Sequence, residues 1–356
     1  MLRIFSRRSN EVSYFTDDYA LELEGLRHEA GWWLRGEGDV RSERDVQQVF
    51  SSTPRSQVLG YDLIFAAPRP TSILIALDPS YAAGVVDAHR ESVTASVRYL
   101  EERAIVVRDR RGGEDRDMPG TWSSIVSYTH GVNRHGEPHL HDHVLVGART
   151  LEARSVLDFR SLVVHAKAAD SLYRSSLRHE LAERTPYVAW RSFDGVEHVV
   201  DQDEGYRALW GGHFAERGVK RSWRRDEVLE KWRSDVRDFE PEGAVLSPRV
   251  QRLSIDEHAF GAELEGSREI TRRHLVMAWA NAARFGQDAT SLNRTIDALY
   301  PSLRDSRGVR ESSIGVAHAR MTQLVREHGA RPLAEHDLQR WRQRSRDRSE
   351  GPERSR

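Results

Sequence analysis

The stretch 130-HGVNRHGEPHLHDHVLVGA-148 carries five histidines within fourteen residues, and three of them alternate as His139, His141 and His143. Two runs of β-rich residues, 121-TWSSIVSYTH-130 and 139-HLHDHVLVGART-150, flank a polar segment, 131-GVNRHGEP-138, rich in Gly, Asn and Pro. This pattern reads as a β-hairpin. Side chains on a strand alternate between faces. His139, His141 and His143 therefore point one way, and Leu140, Asp142, Val144 and Val146 the other. His130 ends the preceding strand, where antiparallel pairing brings it beside the alternating histidines. Neutral imidazoles with open positions suit a divalent ion that also binds a substrate oxygen. Spacing alone leaves His135 and His139 open as ligands.

Outward from the hairpin, residues 58–68, VLGYDLIFAAP, read as a strand ended by proline, and RAIVVRDRRGG as a strand running into a glycine turn. Between them, residues 79–104 have a helical period, with Val85, Val86, His89, Val93 and Val97 near one face. The second half is mainly helical. Residues 158–185, DEVLEKWRSDVRDF, SREITRRHLVMAWANAARFG and GVAHARMTQLVREHG all carry amphipathic spacing. The segment 240-EPEGAVLSPRV-250 reads as a boundary. The expected organisation is a catalytic domain over 1–245, a helical extension over 246–330 and a polar, disordered tail over 331–356. The fold class is α+β: a central antiparallel sheet carrying the histidines, flanked by helices, with helices C-terminal to it.

Composition narrows the partners. The 356 residues hold 54 Lys and Arg against 55 Asp and Glu, a formal net charge of −1, so no global basic field announces nucleic acid. Only Lys167, Lys220 and Lys231 are lysines; the other cations are arginines, which suit bidentate phosphate contacts. With no cysteine, disulfides and thiolate metal sites are excluded, and a metal must be held by histidine and carboxylate. No run approaches the roughly 18 apolar residues of a membrane span, so the expectation is a cytoplasmic protein. An HxH strand also occurs in cupins, but the position four after His143 is Gly147 and no carboxylate follows until Glu152. That weakens a cupin-like reading.

The run His130, Asn133-Arg134, Glu137-Pro138-His139-Leu140-His141-Asp142-His143 resembles a motif of MobF-type conjugative relaxases, which are HUH endonucleases with the pattern H-x-x-S-R-x-x-D-P-x-L-H-T-H. Its three histidines match at the first position and eleven and thirteen residues on. Residues 60-GYDLIFAAPRPTS-72 are similar to the family's G-F-D-L-T-F-S-A-P-K-S-V-S. Residues 13-SYFTDDYA-20 resemble its segment of tyrosines, and 165-HAKAADSLYRSSLRHELAERT-185 its L-Y-x-x-x-L-R-x-E-L helix. Together these span about residues 1–240 in the family's order. The chain departs from the family where tyrosine pairs are reduced to Tyr14 and Tyr19, where Thr of H-T-H is Asp142, and where P-K-S becomes Pro68-Arg69-Pro70.

The resemblance implies a site- and strand-specific transesterification on single-stranded DNA at an origin of transfer. Tyr14 would be the nucleophile and Tyr19 its reserve; His130, His141 and His143 would hold a divalent metal, Mg or Mn, with Asp62 orienting a ligand histidine. Arg134, in the hairpin turn, is placed either to clamp a phosphate or to stand solvated. Arg174 and Arg178 are further DNA candidates, although Arg174 also lies one helical turn after Asp170. The tryptophans offer stacking surfaces for bases, or core. The 356 residues contain no G-x-x-x-x-G-K-[ST] loop, so the expectation is a relaxase domain without helicase, working with a separate helicase and with coupling and secretion proteins. Competing readings are a degenerate relaxase that binds DNA as a regulatory module, and a rolling-circle replication initiator.

Overall fold

The computed structural model describes residues 1–8, 32–35, 49–50, 58–68, 71–72, 75, 82–109, 116–133, 135–151, 157–184, 190–193, 196–199, 224–236, 255–264, 270–283 and 285–304. Tyr14, Tyr19 and Arg134 lie outside them, as do the boundary at 240–250, the helical segment GVAHARMTQLVREHG and the tail.

Five strands, β1 (Leu2–Arg7), β2 (Trp32–Arg35), β3 (Gly60–Ala66), β6 (Ile125–Val132) and β7 (Pro138–Gly147), form one sheet in the order β1-β3-β7-β6-β2. Every pairing is antiparallel. Two short hairpins stand apart from it: β4 (Val106–Asp109) with β5 (Arg116–Pro119), and β8 (Trp190–Phe193) with β9 (Val196–Val199). The expected hairpin is β6–β7, and it occupies the middle of the sheet, where both edges of β7 are paired. A central strand buried on both faces has few exposed positions for polar residues. The polar side chains of β7 consequently meet one another or meet partners.

The two faces are covered differently. Leu63 and Phe65 of β3 and Leu140, Val144 and Val146 of β7 join a large core with helices α1 (Ala82–Ala104) and α2 (Phe159–Arg184). Small residues let these helices approach closely: Ala88, Ser92 and Ser96 on α1, and Ala168, Ala169, Ser171 and Ser175 on α2, are all buried. Ser92 resolves its buried hydroxyl by donating to the carbonyl of Ala88 at 2.7 Å. The start of α2 is anchored on β3 by stacking of Phe159 on Tyr61, with centroids 5.1 Å apart and planes 11° apart. On the opposite face, Val126, Tyr128 and Leu145 pack with Val49 and Phe50 in a smaller cluster. The histidines belong to this second face.

C-terminal to the sheet lie α3 (Arg225–Val236), α4 (Glu257–Leu264), α5 (Arg272–Ala282) and α6 (Ala289–Arg304). The buried Trp232 of α3 donates its indole N–H to the carbonyl of Gly136 at 2.8 Å, tying α3 to the β6–β7 turn. Helices α4 to α6 contribute Phe260, Leu264, Leu275, Val276, Trp279, Leu292, Ile296 and Leu299 to the same core as Leu172, Leu177 and Leu181 of α2. No helix among the described residues is long and apolar enough to cross a membrane.

Candidate metal centre

Register brings the histidines together. His130 of β6 pairs directly with His141 of β7, and Tyr128 with His143. A register shift follows directly after His130, before the ladder resumes with Val132 opposite Pro138. The three rings form a triangle, with centroids 5.1 Å apart for His130–His141, 5.1 Å for His130–His143 and 5.3 Å for His141–His143. One nitrogen from each lies within 4.8 Å of the others. His130 and His143 are 3 % exposed, and His141 is half-buried.

Two of the rings have their proton positions fixed by acceptors. His143 Nδ1 lies 3.0 Å from both carboxylate oxygens of Asp62, which stands on β3 diagonally across the ladder. His141 Nδ1 lies 2.8 Å from the carbonyl oxygen of His139. Each Nδ1 therefore carries its hydrogen and donates, and each Nε2 presents a lone pair. Burial of the ring lowers the pKa of His141 well below 6.5, and the neighbouring imidazoles His139, His130 and His143 lower it further. Three nitrogen donors, two of them of fixed tautomer and one of those backed by a carboxylate, are chemically suited to a divalent cation.

His139 and His135 are not among the residues whose nitrogens converge. The ring of His139 lies against His141 with centroids 4.7 Å apart. His135 sits in the turn, where its backbone N–H donates to Asn133 Oδ1 at 2.9 Å. Asn133 also donates from Nδ2 to Glu137 at 2.6 Å and accepts the Glu137 N–H at 3.0 Å, which stiffens the turn that leads into β7. Ser72 supports the same strand from the other side, accepting the Leu140 N–H at 2.8 Å where β3 has ended.

Arg178 of α2 is turned to a structural task. Arg178 is buried at 3 % exposure and donates from one terminal nitrogen to the carbonyls of Ala280 at 2.7 Å and Ala283 at 3.0 Å, at the end of α5. It does not present itself to DNA. Arg174 is 3.5 Å from Asp170, the local pairing that its spacing suggested. Trp122 is wholly buried, which makes it core and not a stacking platform.

Sequence reasoning missed a buried chain of polar groups under the histidines. Asp142 is bonded to His89 of α1, and His89 to Tyr173 of α2. The signal was present: Asp142 falls on the core-facing register of β7, and His89 sits on the apolar face of α1. Two such misplaced polar residues in facing elements need each other.

A central antiparallel sheet thus gathers three histidines and a supporting carboxylate on one face, with helices over the other. The TrwC relaxase family model matches residues 7–217, and the chain belongs to that family. Solved structures agree in fold. The structure of TrwC complexed with a 27-mer DNA comprising the recognition hairpin and the cleavage site is 17% identical with a TM-score of 0.51. The metal-bound structure of the conjugative relaxase TrwC in complex with oriT DNA is 18% identical with a TM-score of 0.53. Each match covers 67% of this chain and 98% of the other. No curated protein sequence matches the chain.

Proposed function

We propose that this protein is a DNA-nicking relaxase that opens one strand at an origin of transfer and so starts the mobilisation of a plasmid or integrative element. The observation that carries the reading is the convergence of His130, His141 and His143, backed by Asp62, in a chain of the TrwC relaxase family. The phenol of Tyr14 attacks a scissile phosphodiester in single-stranded DNA, releasing a 3′-hydroxyl and leaving the 5′-phosphate on the tyrosine. Bond energy is kept in the phosphotyrosine, so the strand can be rejoined by the reverse displacement. Tyr19 serves as the second phenol.

The three imidazoles would hold a divalent cation, Mg or Mn, through Nε2 of His141 and His143 and one ring nitrogen of His130. When bound, such an ion supplies Lewis-acid stabilisation of charge on a phosphate oxygen. Asp62 keeps the His143 proton on Nδ1 and the ring in register. Burial around His141 keeps that ring neutral, so that its lone pair stays available. Arg134, next in sequence to Asn133, is assigned to the DNA phosphates. The protein acts in the cytoplasm, with a helicase activity to unwind the nicked strand and a coupling and secretion apparatus to export it.

The test is incubation of the full chain with single-stranded origin DNA and Mn²⁺ or Mg²⁺, followed by denaturing electrophoresis. A protein–DNA adduct that survives denaturation, and is lost in Tyr14→Phe and on chelation, is the expected result. Sequence-selective binding with no adduct in the wild-type chain would make it a DNA-binding module of relaxase ancestry instead.

A further inference from the structure

On the helix side of the sheet, the end of α1, the second turn of α2 and the start of α5 bring three arginines around one hydrogen-bonded pair. The Tyr99 hydroxyl of α1 lies 3.0 Å from His165 Nδ1 of α2, with ring centroids 5.8 Å apart. Arg103 stands in the last turn of α1, and Arg272 and Arg273 open α5 directly after its N-cap, Thr271. The charges of all three reach both members of the pair. Burial first, and then these charges, lower the pKa of His165 to about 4, so its ring is neutral at pH 7. The three converging histidines lie on the other face of the sheet, with Tyr128 and Val126.

Neighbouring guanidiniums repel one another, and a helix N-terminus adds a partial positive charge of its own. Arg272 has a structural answer on α6: its Nε donates to Asp297 at 2.7 Å and a terminal nitrogen to Asn293 Oδ1 at 3.0 Å. Arg103 has a partial one, since the last turn of a helix favours a cation. Arg273 has none, because α5 carries no acidic residue in its first turn. Among the described residues, neither Arg103 nor Arg273 has a hydrogen-bond or ion-pair partner. Carboxylates on the same segments are committed elsewhere: Glu101 accepts the Trp122 N–H and Asp158 the Arg160 N–H. Glu102 stands about 100° around α1 from Arg103 and is exposed.

The histidine adds a third donor. The Tyr99 hydroxyl donates to Nδ1 of the neutral ring, so the ring hydrogen sits on Nε2, and no described residue accepts it. Arg103 is exposed, and Arg273 and His165 are half-buried, so a ligand can reach all three. Two guanidiniums and one imidazole N–H make a set of donors with no acceptor among them. Such a set matches an anion whose several oxygens accept from different directions, which is the chemistry of a phosphate group. We propose that Arg103, Arg273 and His165 form a phosphate-binding site on the helix side of the sheet, separate from the histidine centre. The phosphate belongs either to the backbone of a nucleic-acid strand or to a small free anion. The site stands on its own residues, whether or not the histidines across the sheet hold a metal.

The experiment follows the His165 ring signal by nuclear magnetic resonance in the full chain labelled with ¹³C-histidine, the signal being assigned by its absence in His165→Gln. The metal-free protein is titrated at pH 7 with inorganic phosphate in one arm and with oligothymidylate in the other, with sodium chloride at matched ionic strength as reference. A saturable shift of the His165 signal is expected, with its Kd raised at least fivefold in Arg103→Gln and in Arg273→Gln. Arg98→Gln, which removes an exposed charge from the same helix, is expected to stay within twofold of wild type. A shift with inorganic phosphate alone identifies a free anion as the ligand; a shift with oligothymidylate identifies a strand. No saturable shift with either, or one that chloride reproduces, would overturn the proposal. So would an unchanged Kd in both glutamine variants, or a loss in Arg98→Gln equal to theirs. A circular-dichroism melt accompanies each variant, and failure of both Arg103→Gln and Arg273→Gln to fold would also overturn it, since the two arginines would then be holding the helices together.

Discussion

Asp62 decides which nitrogen of His143 faces the other two rings. Its oxygens are both 3.0 Å from Nδ1, so the proton stays there and Nε2 is left as a donor of electrons. Loss of a carboxylate in this role typically costs about 10–100-fold in metal affinity. Asp62→Asn is expected to weaken Mn²⁺ binding by about tenfold in calorimetric titration; an unchanged affinity would show that the ring is oriented by packing alone. A second residue speaks to pH. Burial first, and then the charges of Arg273, Arg103 and Arg272, lower the pKa of His165 from 6.5 to about 4, and its Nδ1 lies 3.0 Å from the Tyr99 hydroxyl, from which the neutral ring accepts. The unfolded chain takes up this proton near pH 6.5 and the folded chain only near pH 4. Between those values the unfolded state binds more protons, so this group's contribution falls as the solution is acidified. His165→Gln keeps an acceptor for Tyr99 and removes the titration. Urea unfolding at pH 7 and pH 5 is expected to show a smaller loss of stability in the variant than in the wild type.

Strands β3, β6 and β7 form a unit whose tolerance is set by close approach. At Gly60 an added Cβ would stand 2.3 Å from the Val146 carbonyl and 2.5 Å from the ring of Phe50. The carbonyl belongs to the paired strand and has nowhere to go without breaking the ladder. Gly60→Ala is expected to destabilise the chain by about 1–3 kcal/mol, the usual range for overpacking, read as a lowered urea midpoint with unchanged slope. At this scale the sequence was informative. Alternation placed His141 and His143 on one face, the Gly-Asn-Pro turn placed His130 across from them, and helical spacing marked the buried faces of α1 and α2. Local periodicity is a local property, and these elements obey it. Periodicity cannot say which face of α1 meets which face of β7, so the bond between His89 and Asp142 was hidden although both residues were out of character with their surroundings. The role of Arg178 was hidden for the same reason: a guanidinium on α2 reads as surface until the end of α5 is known to lie against it.

For the molecule as a whole, the issue is how α4, α5 and α6 are held to the helices behind the sheet. They share its core, and polar and close-packed contacts reinforce the joint around Arg178. Arg178 binds the last carbonyls of α5, the Gln287 N–H donates to Ser175 Oγ at 3.1 Å, and Gly286 presses against α2. Gly286 has φ +77°, a conformation that side chains rarely adopt, and a Cβ there would stand 2.2 Å from the Ser175 carbonyl and 2.5 Å from the His179 nitrogen. Gly286→Ala therefore meets strain and collision at once, with backbone on the far side that cannot step back. Gly261 in α4 offers the matched control, since nothing lies within 4 Å of its added Cβ and a helix interior favours alanine by roughly 0.5–1 kcal/mol. Gly261→Ala is expected to leave the melting temperature level or slightly raised, and Gly286→Ala to lower it by several degrees, consistent with a cost of about 2 kcal/mol or more. The difference in near-ultraviolet dichroism between each protein and the same protein carrying Trp279→Phe isolates the signal of Trp279, which is buried where α5 packs, and locates the damage. If Trp279 loses its signal together with the far-ultraviolet helix signal, the C-terminal helices and the sheet unfold as one unit. If Trp279 melts first while the bulk of the secondary structure remains, the joint at Arg178 and Gly286 separates two units that fold independently, and the shared core is an interface between them.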